Sequence, residues 1–152
     1  MRRVLPLFCI LFVALPAFSS PPAHAATTSF ERAVVKRINQ ARLAHGLRPL
    51  RAARPLRVVA FRHSGFLARR GLLQHSSADG SSFDRRIRRH LRAAHVGETV
   101  ARGPSARFVV RAWLRSPGHR RLLLEPAFRI VGVGARVGAA RMIYVTADFA
   151  RP

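Results

Sequence analysis

Histidine and carboxylate side chains are the groups in this sequence that could do chemistry. The 152 residues include seven His, six Asp plus Glu and a single Cys. Neither a Gly-x-Ser-x-Gly elbow nor a His-Glu-x-x-His motif occurs, so no local hydrolase signature selects a nucleophile or a metal ligand. His95 follows His90 and precedes Glu98 by three residues, a spacing that allows a surface metal chelate. Any richer site must be assembled by the fold from residues far apart in the chain.

Residues 1–25 are predicted to be a secretory signal peptide. Two arginines precede a mostly apolar stretch, residues 4–18, and Ala23-His24-Ala25 places small residues where a signal peptidase cleaves. The stretch is shorter than the roughly 20 residues that span a bilayer. Because Cys9 lies inside it, the mature chain is expected to have no disulfide and no thiolate ligand. We therefore expect export without a transmembrane anchor, to the outside of the cell, the periplasm or the envelope.

The chain is strongly basic but too apolar to be a disordered basic tail. Its formal charge is +22, and 49% of its residues are hydrophobic. Such a charge favours anionic partners, namely cell-wall polymers, lipid headgroups or nucleic acid. Every basic residue except Lys36 is Arg, a bias that a GC-rich genome would produce whatever the function. The densest arginine cluster, residues 85–89, has no aromatic side chains between its arginines, so a role in nucleic-acid binding is disfavoured.

Four helices are predicted between residues 29 and 116. Thr28 and Glu31 have capping-box spacing, which predicts a first helix over 29–45 before Gly46. Pro55 opens a second amphipathic helix that ends at Gly71, and an exposed loop follows over residues 72–82. The last two predicted helices are a short basic one, Phe83–Leu91, and one that is capped by Ser105 and ends near Ser116-Pro117-Gly118.

The last third of the chain changes to a β-type pattern. Ile130–Val137 and Met142–Phe149 are rich in β-branched and aromatic residues and flank a Gly-Ala-Ala-Arg turn, which predicts a hairpin. Residues 96–101 are a further candidate strand. Helices first and paired strands last indicate the α+β class, an antiparallel sheet covered by helices. Trp113 lies on the apolar stripe of its helix and is predicted to anchor the core.

Five sequence runs follow one another along the chain: RINQARLAHGLRPL (37–50), GLLQHSSADGSSFDRRI (71–87), VGETVARG (96–103), WLRSPGHRRLLLEPAFRIVGVGA (113–135) and YVTADF (144–149). Together and in this order, they closely resemble the CAP superfamily, or SCP domain, in its bacterial cysteine-free branch. The superfamily includes cysteine-rich secretory proteins, insect venom antigens and plant pathogenesis-related proteins. The resemblance implies an α-β-α sandwich over residues 34–150, after a short lead-in at 26–33. It also suggests that Asn39 and Arg42 are structural.

The resemblance further implies a cleft that can hold a divalent metal such as zinc. The family has a tetrad of two His and two acidic residues, and by motif three members are His75, Glu98 and His119. The fourth, acidic position falls on Ser116, and Thr99 and Ala147 stand where the family commonly has Asn and Gln. Two imidazoles and one carboxylate are an ordinary zinc ligand set with a coordination position left for water. Alternatively, Glu98 could orient one imidazole as a general base. No organic cofactor is implied.

Three functions follow from these observations. The first is an exported binding module whose cleft at His75, Glu98 and His119 holds a metal and a small ligand. The second is a metal-assisted, peptidase-like hydrolase that uses the same three residues as catalytic groups. The third is a polyanion or cell-wall binder that acts through its arginines. The first is favoured, because a family resemblance indicates a fold and a cleft without establishing catalysis.

Overall fold

The computed structural model describes residues 23–152, where the chain forms five α-helices and four β-strands. Their bounds are α1 Ala23–Ala44, β1 Arg51–Ala52, α2 Arg54–Arg70, α3 Phe83–Arg88, β2 His95–Gly103, α4 Ala106–Arg115, α5 Pro117–Leu123, β3 Ile130–Val137 and β4 Ile143–Arg151. The strands form one sheet in the order β1-β3-β4-β2. Residues 1–22 of the predicted signal peptide lie outside the described residues.

Helices cover both faces of the sheet, which gives the expected α-β-α sandwich. One face packs against α1 and α4 around the largest apolar cluster, which includes Val34, Ile38, Val109, Trp113 and Phe149. The other face packs against α2 and α3 through a smaller cluster that includes Leu56, Val59 and Ile87. Trp113 is 1% exposed and its indole N–H donates to the Val100 carbonyl over 3.1 Å. Its prediction as a core anchor is confirmed.

The hairpin and its third strand are confirmed, but the sheet is mixed. Strands β2 and β3 both run antiparallel to β4, whereas β1 runs parallel to β3. β1 contains only two residues, both exposed, so no periodic pattern marked it. Asn39 of α1 holds Leu50, the residue just before β1, in place. The side-chain amide of Asn39 donates to the Leu50 carbonyl, and its side-chain oxygen accepts from the Leu50 N–H.

Helix ends follow the predicted local signals in most places. Gly71, with φ of 68°, ends α2, and the Ser105 hydroxyl accepts from the Phe108 N–H at the start of α4. The prediction that a helix ends near Ser116 is correct. Pro117 then begins α5, a helix that the sequence pattern did not indicate. The short basic helix ends at Arg88 rather than Leu91.

The predicted capping box at the start of the first helix is wrong. The helix already begins at Ala23, so Thr28 lies inside it. Glu31 instead reaches the sheet, where Oε1 accepts from the Ala135 N–H at 3.0 Å and Oε2 accepts from Arg57 at 2.7 Å. Glu31 is 3% exposed. A residue that resembled a local cap therefore fixes α1 to the edge of β3.

Arg42 joins the end of α1 to the end of α5, which is the kind of structural role that the family resemblance suggested for it. The residue is 1% exposed, and one guanidinium nitrogen donates to the carbonyls of Leu123 and Glu125 at 2.8 and 3.0 Å. A third bond runs from Nε to the Arg48 carbonyl at 2.9 Å. Charge-assisted bonds to carbonyl oxygens thus hold α5, the helix that carries His119, against α1.

Candidate functional site

Two carboxylates face each other inside the sheet. Glu98 of β2 is the direct cross-strand partner of Asp148 of β4, so both side chains lie on the same face. That face packs against α2 and α3, and the two residues are 1% and 0% exposed. A pair of acidic side chains in this position is costly unless cations or shared protons offset its charge.

Arg86 of α3 supplies the cation beside Glu98. Its guanidinium donates to Glu98 Oε2, and the Arg86 side chain is 11% exposed. A second guanidinium nitrogen donates to the His75 carbonyl at 3.2 Å and to the Ser77 hydroxyl at 2.6 Å. Arg86 thus connects the buried carboxylate to the loop between α2 and α3 and holds His75 in place.

The other oxygen of Glu98 is bonded to His75. Nδ1 of His75 lies 2.9 Å from Glu98 Oε1, and the imidazole is 48% exposed. Because a carboxylate accepts, Nδ1 carries the proton, and in the neutral ring the lone pair is on Nε2. A half-exposed imidazole whose second nitrogen is oriented by a buried carboxylate is the arrangement that metal-binding and general-base histidines share.

A third histidine, His63 of α2, completes the wall of this cluster. It is 2% exposed, and its Nε2 lies 4.0 Å from Glu98 Oε1. Nε2 donates to the Gln74 carbonyl at 3.0 Å, which fixes the tautomer because a carbonyl can only accept. Burial, more than any neighbouring charge, lowers the pKa of His63 below its ordinary value. The neutral form is favoured, and His63 acts as packing beneath the loop that carries Gln74.

His119 lies in the first turn of α5, close enough to His75 for their charges to interact. Burial first, and then the positive charge of His75, lower the pKa of His119. Ser116 lies at the junction of α4 and α5, where its carbonyl accepts from the Arg120 N–H at 2.8 Å. The structure therefore brings His75, Glu98 and His119 into one region, with Ser116 at the start of the helix that carries His119.

The position of Asp148 disfavours its ionised form. Neither carboxyl oxygen accepts a hydrogen bond from an N–H or O–H group of residues 23–152, so the interaction of Asp148 with Glu98 becomes a hydrogen bond only with a proton between the two carboxyl groups. Burial and, secondly, the charge of Glu98 raise the pKa of Asp148 well above its ordinary value, although Arg86 partly opposes them. The protonated form is thus favoured, and its proton can be donated to the adjacent Glu98.

This arrangement predicts that Asp148→Asn stabilises the protein increasingly as pH rises. The unfolded chain ionises Asp148 at its ordinary pKa, whereas the folded chain keeps the proton to higher pH, so wild-type stability falls through that window. An amide keeps the size and the donor without the charge. Urea unfolding at about pH 4 and about pH 8 should show a gain of roughly 1–3 kcal/mol at the higher pH only. A gain that is equal at both pH values, or one matched by the same change at half-exposed Asp84 of α3, would contradict this prediction.

The surface chelate predicted for His90 and His95, with Glu98 three residues after His95, does not form among residues 23–152. A separation of three residues on a strand puts the two side chains on opposite faces. The His95 ring stacks on Phe128, with centroids 4.9 Å apart, on the α5 side of the sheet. His90 is exposed and its Nδ1 lies 3.2 Å from the Arg86 carbonyl. These residues therefore do not share a ligand site.

Sequence reasoning missed the roles of Arg86, Asp148 and His63. Arg86 is one of four arginines within residues 85–89, a pattern that indicates a solvated helix face. Asp148 carried one usable signal, since it is the sole charge in an otherwise uncharged strand run, 142–149. His63 lies at helical spacing from Val59 and Leu67, a pattern that indicates an apolar helix face and no chemical role. Their importance follows from the register of β2 and β4, which the sequence does not show.

The donor set fits a divalent metal held by two histidines better than one held by three residues. Among residues 23–152, no three His, Cys, Asp or Glu side chains form a group that could hold a metal ion. Glu98 has one oxygen on His75 and the other on a guanidinium, so its charge is already shared with a cation. The Nε2 atom of half-exposed His75 and the His119 imidazole are the donors that this arrangement leaves for a metal.

Two proteins of Bacillus subtilis resemble this chain in sequence. One relative, "Uncharacterized protein YkwD", is 32% identical to this chain over 114 residues. The matched region covers 74% of this chain and 44% of the relative. Another is "Uncharacterized membrane protein YlbC" of the same bacterium, 35% identical over 112 residues, covering 70% of this chain and 32% of the relative. The chain thus spans less than half the length of either relative.

Solved structures show the same sandwich. An outer surface protein from Borrelia burgdorferi superposes with a TM-score of 0.76 at 21% identity, covering 82% of this chain and 94% of that one. An extracellular protein containing an SCP domain from Bacillus anthracis gives a TM-score of 0.72 at 25% identity, covering 88% of this chain and 45% of that one.

No helix within residues 23–152 has the length and apolar character needed to cross a membrane. The family described as "CAP: Cysteine-rich secretory protein family" matches residues 35–149, and this chain belongs to it.

Proposed function

We propose that this CAP domain is an exported binding module whose cleft between His75 and His119 holds a divalent metal and a small ligand. The observation that carries the proposal is the bond between buried Glu98 and Nδ1 of half-exposed His75. That bond holds the imidazole in one orientation and leaves Nε2 for a ligand. His119 lies close enough to His75 for their charges to interact, and the lowered pKa of His119 favours the neutral form that a metal requires.

Within this proposal, Glu98 orients His75 and the two imidazoles hold the metal. Arg86 beneath Glu98 makes the carboxylate a poorer direct ligand, because a metal there would face a guanidinium. Zinc accepts two imidazoles together with water or ligand atoms, and a bound zinc would supply Lewis acidity to a ligand oxygen. Ser116, at the position where the family tetrad has an acid, leaves a coordination place for an exogenous ligand.

The proposed location is outside the cell or in the cell envelope. The predicted signal peptide supports it, and so do the two structural relatives described as an outer surface protein and an extracellular protein. In that setting the formal charge of +20 that remains without the two arginines of the predicted signal peptide favours anionic cell-wall polymers or lipid headgroups as partners. Nucleic acid is not proposed as a partner.

A metal-assisted hydrolase is the second candidate, favoured by the same Glu98–His75 bond. An imidazole oriented by a carboxylate can act as a general base toward water. Hydrolysis of a peptide substrate that stops with a chelator and with His119→Ala, while the protein remains folded, would favour this candidate over a binding module. Binding without turnover would favour the binding module.

Zinc titration calorimetry tests the proposed cleft. We expect near-stoichiometric zinc binding by the wild-type protein and at least about 100-fold weaker binding by His75→Ala and by His119→Ala, since each removes a metal donor. Both positions are only partly buried, so the folded state should persist, which circular dichroism would verify.

His90→Ala is the matched control for these variants, because His90 is an exposed histidine just after α3 whose ring bonds the Arg86 carbonyl. It should bind zinc as the wild type does. Unchanged zinc affinity in His75→Ala would contradict the assignment of that imidazole. An equal loss in all three variants would indicate nonspecific binding by surface histidines.

A further inference from the structure

Four exposed apolar side chains lie at one end of the sandwich. Among residues 23–152, five large hydrophobic side chains are exposed: Leu43, Leu72, Leu73, Phe108 and Val137. Leu43 lies near the end of α1, where Arg42 contacts the end of α5. The other four lie where β3 ends and β4 begins. Single exposed apolar residues are ordinary on a protein surface, but a cluster of them indicates an interaction surface.

The strand register places Val137 and Phe108 at this end. Ile143, the first residue of β4, pairs with Gly103 at the end of β2 and with Val137 at the end of β3. Phe108, in the first turn of α4, lies over Gly103, because a Cβ added to that glycine would be 2.5 Å from the phenyl ring. Both exposed side chains are therefore at the edge where β2 and β3 end.

Residues 72–73 reach the same end from α2. A Cβ added to Gly138, in the β3–β4 turn, would lie 3.2 Å from the Ala68 carbonyl oxygen, so the last turn of α2 is beside that turn. The chain then doubles back along α2, since the Gln74 carbonyl accepts from His63 Nε2. The two leucines are therefore at the point where the chain reverses direction, with about half of each side chain exposed.

Six exposed arginines surround these apolar side chains. They lie at the end of α2 and on either side of the β2–α4 and β3–β4 connections: Arg69, Arg70, Arg102, Arg107, Arg136 and Arg141. None of them forms an ion pair with an acidic residue of the described range. Residues 69–73, 102–108 and 136–141, which we call the apolar end, contain no Asp or Glu. The apolar end thus combines exposed hydrophobic side chains with positive charge alone.

We propose that the apolar end docks on the surface of a bilayer that contains anionic phospholipids. Apolar side chains that enter the boundary between headgroups and acyl chains, with basic side chains at the level of the phosphates, are a common means of peripheral membrane binding. Guanidinium groups match phosphate geometry and form bidentate hydrogen bonds to it. A soluble polyanion would satisfy the arginines but leave all four apolar side chains in water.

This inference rests on the proposed location in the cell envelope, where it assigns lipid headgroups to one surface of the protein. It does not depend on the metal cleft, because His75, Glu98 and His119 lie outside the apolar end. His75→Ala should therefore bind vesicles as the wild type does, although we expect it to lose zinc. A failure of zinc binding and a failure of docking are thus separate results.

Sedimentation of the exported form of the protein with lipid vesicles measures the docking. We expect vesicles of phosphatidylcholine and phosphatidylglycerol at a ratio of about 2:1 to bind it at least about tenfold more tightly than phosphatidylcholine alone. Leu72→Ser combined with Leu73→Ser should weaken that binding at least about tenfold, because it removes apolar insertion. Leu43→Ser is the matched control and should change it less than about twofold. Equal binding to both kinds of vesicle would overturn the role of the arginines.

A matched pair of charge reversals tests whether the arginines act locally. Arg70 and Arg121 are both exposed arginines in the last turn of a helix, but only Arg70 belongs to the apolar end. Arg70→Glu should weaken binding to the anionic vesicles about tenfold, and Arg121→Glu less than about twofold. An equal effect of the two variants would reduce the binding to general attraction by a basic protein.

Insertion can be followed at one site, because Cys9 is the only cysteine and lies in the predicted signal peptide. A nitrobenzoxadiazole probe on Leu73→Cys should gain fluorescence severalfold with the anionic vesicles, whereas the same probe on Leu43→Cys should not. Equal gains at both positions, or no gain at position 73, would overturn docking through the apolar end. Binding of soluble dextran sulfate that Arg70→Glu weakens, without a fluorescence gain on vesicles, would assign these arginines to a soluble polyanion instead.

Discussion

Arg86→Met should lower the free energy of unfolding by about 3–5 kcal/mol, the usual result of removing one partner from a buried ion pair. Glu98 is completely buried and bonded to the Arg86 guanidinium, and Asp148 lies directly opposite on the next strand. Methionine replaces the length of the arginine side chain but not its charge. One carboxylate would then remain in the interior beside a second acidic group, with only a half-exposed imidazole as a partner. Urea unfolding at neutral pH measures the loss.

Two further variants show whether the loss comes from charge. Arg85→Met changes the adjacent arginine of the same helix, which is more exposed, and should cost less than about 0.5 kcal/mol. Adding Glu98→Gln to Arg86→Met removes the stranded charge and should recover a large part of the stability, which a double-mutant cycle would report as coupling. If Arg86→Met is no more destabilising than Arg85→Met, Glu98 is not held as a buried anion.

Gly132→Ala should destabilise the fold by about 3 kcal/mol or more, because α2 leaves no space for a methyl group. A Cβ on Gly132 would lie 2.1 Å from the Arg57 nitrogen and 2.2 Å from the Leu56 carbonyl carbon. Both atoms belong to the backbone of α2, so a side-chain rotation cannot relieve the contact and the helix must move off the sheet. Thermal unfolding of the variant beside the wild type measures the effect.

Gly118→Ala is the matched control for this prediction. Gly118 lies in α5, and a Cβ there would meet no atom within 4 Å. Alanine has the higher helix propensity, so this change should be neutral or stabilise the protein by up to about 1 kcal/mol. A similar loss in both variants would indicate that glycine itself, rather than the close approach of α2 to β3, determines stability at Gly132.

Local signals predicted the parts of the fold that depend on local energetics. Gly71 and Ser105 mark helix ends because a left-handed glycine and a capping hydroxyl act within one turn. β1 and the role of Glu31 depend instead on distant partners. β1 exists only beside β3, and Glu31 bonds an amide 104 residues further along the chain. The spacing of Thr28 and Glu31 therefore predicted a local cap, whereas Glu31 bonds a distant strand.

The candidate site likewise contains residues that the family resemblance predicted and residues whose roles depend on the tertiary structure. His75, Glu98 and His119 are far apart in sequence, and only the family resemblance predicted their proximity. Arg86 was hidden because arginine is the common basic residue throughout this chain, so its type carries little information. Its burial depends on where α3 lies on the sheet, and Asp148 faces Glu98 only in the observed strand register.

The position of β4 between β3 and β2 has a consequence for when the chain can fold. β4 follows the other elements of the described residues, 23–152, in sequence, and β2 and β3 pair with it along most of their length. Until Ile143–Arg151 is available, β2 has no pairing partner and the helices have no sheet to cover. Contacts so distant in sequence slow folding. During synthesis, the four-stranded sheet therefore cannot form until residues 143–151 have been made, although the residues of α1, α2 and α4 are made well before them.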